Sequence, residues 1–202
     1  MTGTPLFIYF AGFLAAYLVG SFPTGVVLTR RRYGIDVREM GSGNIGATNV
    51  TRVFGWWAGV LVFILDFLKG AIPIWALRHW NGEDPWLITW IGVGLVVGHC
   101  YSVFLKFRGG KGVATSFGCL AVLSPVVGSI AGAVYLGLLL VTRISALGSL
   151  GGLLTVLIYL VLVRPAPPFI TLALLISAVV LLRHRTNIRR LIATARHKEI
   201  VK

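Results

Sequence analysis

The sequence is poor in acidic residues, cysteine and histidine. Its 202 residues include 6 Asp and Glu, 2 Cys and 4 His. None of these has the spacing of metal ligands or of a disulfide framework, so neither a metal nor another cofactor is predicted. No Ser-His-Asp or Cys-His arrangement is evident. A metalloenzyme and an enzyme with a covalent protein intermediate are both disfavoured.

Positive charge dominates a chain that is otherwise apolar. Lys and Arg number 19 and the formal net charge is +13, while 56% of the residues are hydrophobic and the mean hydropathy is +0.86. A soluble nucleic-acid-binding protein can carry this charge but not these long apolar runs. The composition predicts an all-α integral membrane protein that contacts lipid, has a single polytopic membrane domain over residues 1–202, and binds no nucleic acid.

Long apolar runs give the candidate membrane helices. They are Leu6–Leu28, Trp56–Leu77, Trp86–Leu105, Val113–Leu123, Val126–Val141, Ile144–Val163 and Phe169–Leu182. The first lacks a basic leader region, so it is interpreted as a retained span and not as a signal peptide. Several are short for a hydrocarbon core of about 30 Å, which needs about 20 helical residues.

The region 113–141 leaves two span counts open, because it can form two short helices or one helix kinked at Ser124-Pro125. Two helices place 16 Lys and Arg on one face and 2 on the other, with Lys69 inside a span, whereas one helix places 9 on each face. The positive-inside rule favours the first division. The sequence therefore predicts seven transmembrane helices, with the N-terminus outside and the C-terminus in the cytoplasm.

Two glycine-rich segments lie on the predicted cytoplasmic face, Gly41–Arg52 and Lys106–Gly112. Glycine and asparagine tolerate positive φ, so backbone N–H groups can turn inward around an anion that Lys and Arg also attract. An ordinary interfacial loop explains the first segment less well, and interfacial anchoring explains Lys106 but not the glycines around Lys111. The two segments together favour a phosphate site.

Two other patterns are set aside. Gly41-x-Gly43-x-x-Gly46 lacks the strand that a dinucleotide-binding fingerprint requires, and Gly112 replaces the Ser or Thr of a Walker A loop. His79 and Asp84 reproduce the spacing of an acyltransferase dyad, but they fall in the short outer loop, away from the basic segments. This second pattern is interpreted as coincidence.

Polar residues within the apolar runs keep two interpretations each. Asp66 and Lys69 share one face of the second span, where a functional role and a self-neutralising structural pair stay equally open. His99, near the end of the third span, can be a buried structural histidine or a site residue. Cys100 and Cys119 are interpreted as inert packing residues.

In chain order, the motifs are similar to those of a known family. They are Gly41-Ser42-Gly43-Asn44-x-Gly46-Ala47-Thr48-Asn49-x-x-Arg52, Leu65-Asp66-x-x-Lys69-Gly70, Gly98-His99, Lys106-Phe107-x-Gly109-Gly110-Lys111-Gly112-Val113-Ala114-Thr115 and His184-x-x-Asn187-Ile188-x-Arg190-Leu191. Over nearly its whole length the sequence resembles the bacterial acyl-phosphate:glycerol-3-phosphate acyltransferases. It departs from them in the tail, where Thr194 and Arg196 replace the usual Gly and Glu.

The resemblance implies a seven-helix enzyme of the bacterial inner membrane whose active site opens to the cytoplasm. Its reaction would transfer a fatty acyl group from acyl phosphate to glycerol 3-phosphate, giving lysophosphatidic acid and phosphate, the first step of phospholipid synthesis. The enzyme that produces acyl phosphate is a candidate partner. Because acyl phosphate is already activated, no protein nucleophile is needed, and catalysis would come from positioning two anions and neutralising charge.

The resemblance also assigns the site residues. Those with expected catalytic roles are Ser42, Arg52, Lys111, His184 and Asn187. Arg52 and Lys111 would neutralise phosphate, while the proton acceptor stays open between His184 and a phosphate oxygen of the substrate. The expected substrate-binding residues are Gly41, Gly43, Asn44, Thr48, Asn49, Gly109, Gly110, Gly112 and Ser145. For Ser145, a helix N-cap is an equally good interpretation.

A transporter or exchanger of phosphorylated metabolites is the main alternative, because basic loops, a membrane-embedded ion pair and a helix broken at proline would suit one. The placement of every polar cluster on one face and the lack of a detectable inverted repeat oppose it. A non-catalytic subunit of a lipid-synthesis assembly would leave the two glycine-rich loops without a purpose.

Overall fold

The computed structural model describes residues 4–80 and 84–200, apart from the side chains of Trp80 and residues 195–200, so the predicted departure at Arg196 lies outside the described side chains. Over these ranges every regular element is helical. The α-helices are α1 (Leu6–Ser21), α2 (Thr24–Tyr33), α3 (Ala47–Phe54), α4 (Trp56–Trp80), α5 (Pro85–Cys100), α6 (Val113–Leu123), α7 (Pro125–Thr142), α8 (Ser145–Val163), α9 (Pro167–Arg183) and α10 (Arg185–Ile200). Short 3₁₀ turns at Val37–Glu39 and Val103–Leu105 precede the two glycine-rich loops.

Five helical segments of the described chain are long and apolar enough to cross a membrane. They are Leu6–Tyr33, Trp56–His79, Pro85–Leu105, Pro125–Thr142 and Ser145–Val163, and α9 with the start of α10, bent by 57°, gives a sixth. The prediction of a multi-pass helical membrane protein is confirmed. With 11 residues, α6 is only about 16 Å long, well short of a hydrocarbon core of about 30 Å. The seventh crossing therefore stays a prediction.

The chain reverses direction between α6 and α7, at Ser124. A Cβ atom added to Gly128 would contact Ala121, and one added to Gly132 would contact Phe117. Contacts that spread symmetrically on both sides of Ser124 require two helices packed antiparallel. The alternative of one kinked helix is wrong.

Two predicted spans end differently in the structure. The predicted span Leu6–Leu28 is interrupted, because Pro23 has no N–H to donate and disfavours helical backbone before it, where Phe22 has a ψ of 120°. The predicted span Trp86–Leu105 is an α-helix only as far as Cys100. Hydropathy does not register either boundary, since the apolar run continues past it.

The central helix is α5, most of which is buried between its neighbours. Gly94 and Gly98, one helical turn apart, lie against the backbone of α1, where a Cβ atom at either position would overlap main-chain atoms. Gly70 on α4 lies in the same way against the backbone of Thr115 on α6. Small residues permit this close approach between membrane helices. The end of α5 and the start of α6 are thereby fixed on either side of the second glycine-rich loop.

Candidate functional site

The first glycine-rich loop is shaped by Asn49, whose side chain is only 2% exposed. Its Oδ1 accepts the N–H of Ser42 at 2.8 Å, and its Nδ2 donates to the carbonyls of residues 37, 40 and 44 at 3.2, 3.0 and 2.9 Å. The amide is thus committed to the loop backbone. These contacts hold the loop in shape, and the substrate contact expected of Asn49 stays a prediction.

Backbone groups of this loop are largely occupied by the loop itself. Gly41 and Gly43 have φ of +58° and +70°, as expected for the turn. The N–H of Gly43 donates to the carbonyl of Met40, and the N–H of Gly46 donates to Oδ1 of Asn44. These N–H groups are not free for an anion, contrary to the expectation. Gly46 caps α3 without a side chain, so unpaired N–H groups remain at the start of that helix.

Asp36 anchors the loop from its other side. Its carboxylate accepts hydrogen bonds from the guanidinium groups of Arg38 at 2.6 Å and Arg30 at 2.8 Å, and from the N–H of Arg38 at 2.9 Å. Hydrogen bonds from Arg38, together with the charges of Arg38 and Arg30, outweigh partial burial and hold the pKa of Asp36 at about 2. Arg30 and Arg38 thus share one carboxylate partner within the protein.

The glycines of the second loop cap the end of α5. The N–H of Gly109 donates to the carbonyl of Cys100 at 3.2 Å, and the N–H of Gly110 donates to the carbonyl of His99 at 2.9 Å. Terminal carbonyls of a helix need such partners. These two N–H groups are consequently not free to bind an anion, again unlike the expectation. Gly112, with φ of +82°, begins α6 without a side-chain cap.

Lys111 projects from this loop towards the last helix. Its Nζ donates to Oδ1 of Asn187 at 2.6 Å. Burial, followed by the positive charges of Arg183, Arg190 and Arg52, lowers the pKa of Lys111 below its ordinary value. In the described part of the chain, no carboxylate lies within ion-pair distance of any of these four cations. No carboxylate of the described residues compensates their positive charge.

His184 joins α9 to α10 beside this cluster and is 1% exposed. Its Nδ1 lies 2.8 Å from the carbonyl oxygen of Val180. A carbonyl oxygen only accepts, so Nδ1 carries the proton and the neutral ring keeps a lone pair on Nε2. Lys111 is close enough for its charge to act on the imidazole. The ring can therefore accept a hydrogen bond or a proton at Nε2.

Ser145 contacts the first glycine-rich segment across 97 residues of sequence. Its Oγ lies 2.9 Å from Oγ1 of Thr48 and 3.1 Å from the hydroxyl of Tyr135. The alternative interpretation as an N-cap is wrong, because Ile144 occupies that position of α8. The uncapped starts of α3 and α8 thus meet through two hydroxyl groups.

Asp66 and Lys69 form an ion pair at 2.8 Å behind the second loop. Lys69 also donates to the carbonyl of Phe22 at 3.2 Å, and the hydroxyl of Thr24 donates to Asp66. These contacts join α4 to the break between α1 and α2, which favours the structural interpretation of the pair. Nδ1 of His99 lies 3.7 Å from the carboxylate of Asp66.

His99 is packed between Asp66 and the second loop. It is 4% exposed, and its Nε2 faces Gly110 so closely that a Cβ atom on that glycine would overlap the ring. The ring thus packs directly against the loop that carries Lys111. This packing favours the structural interpretation of His99.

The pattern of His79 and Asp84 has a structural explanation. Asp84 caps α5 by accepting the N–H groups of Trp86 and Leu87 at 3.0 and 3.3 Å, and the hydroxyl of Tyr9 donates to it at 2.7 Å. It lies at the end of α5 opposite the second loop. The interpretation as coincidence is supported.

The structure thus brings together some of the predicted residues. Lys111 contacts Asn187, with Arg52 and His184 near enough for charge interactions with Lys111, while Thr48 and Ser145 form a second contact. The hydroxyl of Ser42 makes no hydrogen bond to another described residue, so its role stays a prediction.

Arg183 was missed by sequence reasoning. It donates to the carbonyls of Gly109 and Gly110. Its position immediately before His184, at the end of an apolar helix, is the one sequence signal that could have found it.

Comparisons with known proteins agree with this geometry. Residues 10–194 match the family described as glycerol-3-phosphate acyltransferase. A glycerol-3-phosphate acyltransferase of Aquifex aeolicus is 42% identical over 183 residues, which is 91% of this chain and 95% of the relative. One of Synechococcus elongatus is 47% identical over 186 residues, 88% of each chain. The crystal structure of PlsY (YgiH), an integral membrane glycerol 3-phosphate acyltransferase in its glycerol 3-phosphate form, superposes with a TM-score of 0.86 at 41% identity over 92% of each chain.

Proposed function

This chain belongs to the glycerol-3-phosphate acyltransferase family and acylates glycerol 3-phosphate, and we propose that its acyl donor is acyl phosphate and that the cluster around Lys111 holds the phosphate groups of both substrates. The products are lysophosphatidic acid and inorganic phosphate. The transporter alternative has no comparable support from the relatives, which are named as acyltransferases.

The observation that carries this proposal is the positive charge of Lys111, Arg52, Arg183 and Arg190, for which the described residues supply no carboxylate partner. Elsewhere in the described chain, the partly buried Arg38 and Lys69 have carboxylate partners, Asp36 and Asp66. The partly buried Lys111 and Arg183 have none, so their mutual repulsion, to which the exposed Arg52 and Arg190 add, costs free energy. Two phosphorylated substrates would remove that cost.

The reaction requires little chemistry from the protein. The glycerol hydroxyl oxygen attacks the acyl carbonyl carbon, an ester C–O bond forms, and the bond from that carbon to the phosphate oxygen breaks as phosphate departs with the electron pair. Negative charge accumulates on the carbonyl oxygen and on the departing phosphate, where Lys111 and Arg52 neutralise it. The hydroxyl proton passes to Nε2 of His184 or to a phosphate oxygen. No protein nucleophile is needed.

We also propose seven membrane crossings, with the site on the cytoplasmic face of the bacterial inner membrane. The antiparallel packing of α6 and α7 supports two passages in this region, and 16 Lys and Arg on one face against 2 on the other support the orientation. The short α6 would then be accommodated by packing against α4 and α7. The enzyme that makes acyl phosphate stays a candidate partner on this face.

The test is an assay of the purified protein in detergent or lipidic mesophase. Acyl phosphate with glycerol 3-phosphate should yield equimolar lysophosphatidic acid and phosphate, measured by mass spectrometry and a phosphate assay. Reactions without glycerol 3-phosphate, and with acyl-CoA as donor, are the controls. Added EDTA should leave the rate unchanged, since the described residues contain no cluster of metal ligands. Formation of lysophosphatidic acid with acyl-CoA as donor, and none with acyl phosphate, would refute the donor assignment.

A further inference from the structure

We propose that Arg183 is a positioning residue for this reaction, holding the loop that presents Lys111 by binding two of its carbonyl groups at once. Nε of Arg183 donates to the carbonyl of Gly110 at 2.9 Å, and Nη2 donates to the carbonyl of Gly109 at 2.7 Å. The inference rests on the proposed function, because its readout is acyl transfer. It assigns to Arg183 a role in orienting Lys111, beyond the positive charge that Arg183 adds beside it.

Both sides of the loop backbone are engaged at these two glycines. Their N–H groups bind the end of α5 and their carbonyls bind Arg183, so the residue that follows, Lys111, leaves the loop in a fixed direction. A planar guanidinium reaches two neighbouring acceptors simultaneously, which an ammonium group cannot do with the same geometry. The arrangement therefore requires arginine and not merely positive charge.

The location of Arg183 links the loop to the other half of the site. It is the last residue of α9, directly before His184 and four residues before Asn187. Its guanidinium also lies over the ring of Tyr101, 5.2 Å from the centroid, on the segment that leads out of α5. One side chain thus sets the distance between Lys111 and its partner Asn187.

Arg183 also contributes charge. The ionisable groups that face Lys111 are Arg183, Arg190, Arg52 and His184, and the first three each lower the pKa of Lys111. Removing the charge of Arg183 should raise that pKa, whereas replacing Arg183 by lysine should leave it nearly unchanged. The effect of the planar guanidinium on activity can therefore be separated from the effect of its charge by two substitutions of Arg183.

The experiment compares R183K, R183Q and the control R189Q, which removes an exposed arginine of α10 with no ion pair in the described chain. The acyltransferase assay gives kcat/KM from pH 6 to pH 10, and thermal unfolding reports folding. R183K should lower kcat/KM at least about tenfold with the alkaline limb of the profile unmoved, since positioning and not charge is lost. R183Q should lower kcat/KM further and move the alkaline limb to higher pH, because the pKa of Lys111 rises. R189Q should change neither kcat/KM nor the position of this limb.

Each outcome decides one statement. If the wild-type protein makes no lysophosphatidic acid from acyl phosphate, the proposed function fails. If the wild-type protein is active and folded R183K keeps the kcat/KM of R189Q, the positioning role is overturned. If R183Q does not fold, R183K alone decides it, because a lysine at this position keeps the charge and the aliphatic chain.

Discussion

Lys111 donates a 2.6 Å hydrogen bond to Asn187 although 76 residues separate them in sequence. The amide oxygen orients the ammonium group but carries no charge that would neutralise it. Lys111 is thus held in place while its full positive charge stays available for a ligand. A carboxylate at position 187 would instead satisfy the lysine and weaken phosphate binding.

Lys111→Ala should lower kcat/KM for acyl transfer at least about a hundredfold, because it removes one electrostatic contact from a partly dry site. This loss corresponds to about 2.7 kcal/mol of transition-state stabilisation. Lys111→Arg should restore only part of this, since a planar fork does not fit a point contact with Asn187. Steady-state kinetics of purified, folded variants give the values.

The matched control is Lys106→Ala in the same loop. Lys106 is exposed and has no ion pair within the described chain, and its φ of 51° is equally unfavourable for lysine and alanine. Its substitution should be nearly silent. Equal and mild effects at positions 106 and 111 would contradict the phosphate-site interpretation.

The kcat/KM of the wild-type enzyme should fall at alkaline pH, at a lower pH than an ordinary lysine would give. Lys111 must be protonated to neutralise phosphate, and its pKa is lowered by burial and by Arg183, Arg190 and Arg52. As pH rises through that pKa, the charge is lost and the rate falls. Lys111→Arg should abolish this limb, because arginine stays charged.

Spontaneous hydrolysis of acyl phosphate, measured without enzyme at each pH, is subtracted in this experiment. The same alkaline limb in Lys111→Arg as in the wild-type protein would show that another group titrates.

Sequence periodicity and composition were sufficient for the helical membrane class and for most helix boundaries. Val113–Leu123 was predicted with its observed limits, because glycine precedes it and Ser124-Pro125 follows it. The end of α5 was not predicted, since Gly109 and Gly110 cap it only after the chain has turned back. Such contacts leave no trace in local hydropathy.

The sequence predicted which residues belong to the candidate site, but not which of them hold the loops in place and which are available to substrate. The motifs identified Lys111 and Asn187, whose contact the structure shows. They did not reveal that Asn49 binds its own loop, or that the N–H groups of Gly109 and Gly110 bind the end of α5 while Arg183 binds their carbonyls. Positioning residues resemble binding residues in sequence, because both are polar and lie in the same segments. Only three-dimensional contacts separate them.

Gly110→Ala should lower kcat/KM about as much as Lys111→Ala, because the added methyl group would overlap Nε2 of His99. His99 is buried against Asp66 and has little room to move, so the loop must shift and Lys111 with it. The control is Gly137→Ala on α7, where nothing lies within 4 Å of the added Cβ atom. That variant should keep full activity and gain slight stability. Equal activity of the two variants would show that the loop tolerates displacement.

Cysteine labelling should place positions 31 and 108 on the cytoplasmic face and position 164 on the opposite face. The native residues Cys100 and Cys119 are buried, so a membrane-impermeant maleimide should report only the introduced Arg31→Cys, Arg108→Cys and Arg164→Cys. Seven crossings put Arg108 and Arg164 on opposite faces, because α6, α7 and α8 each cross the bilayer between them. Six crossings, with the short α6 not crossing, would put them on the same face, since only α7 and α8 would then cross between them. Labelling of intact cells at position 164 alone, and of all three positions after permeabilisation, is the expected result. Labelling of positions 108 and 164 from one side would contradict the proposal of seven crossings.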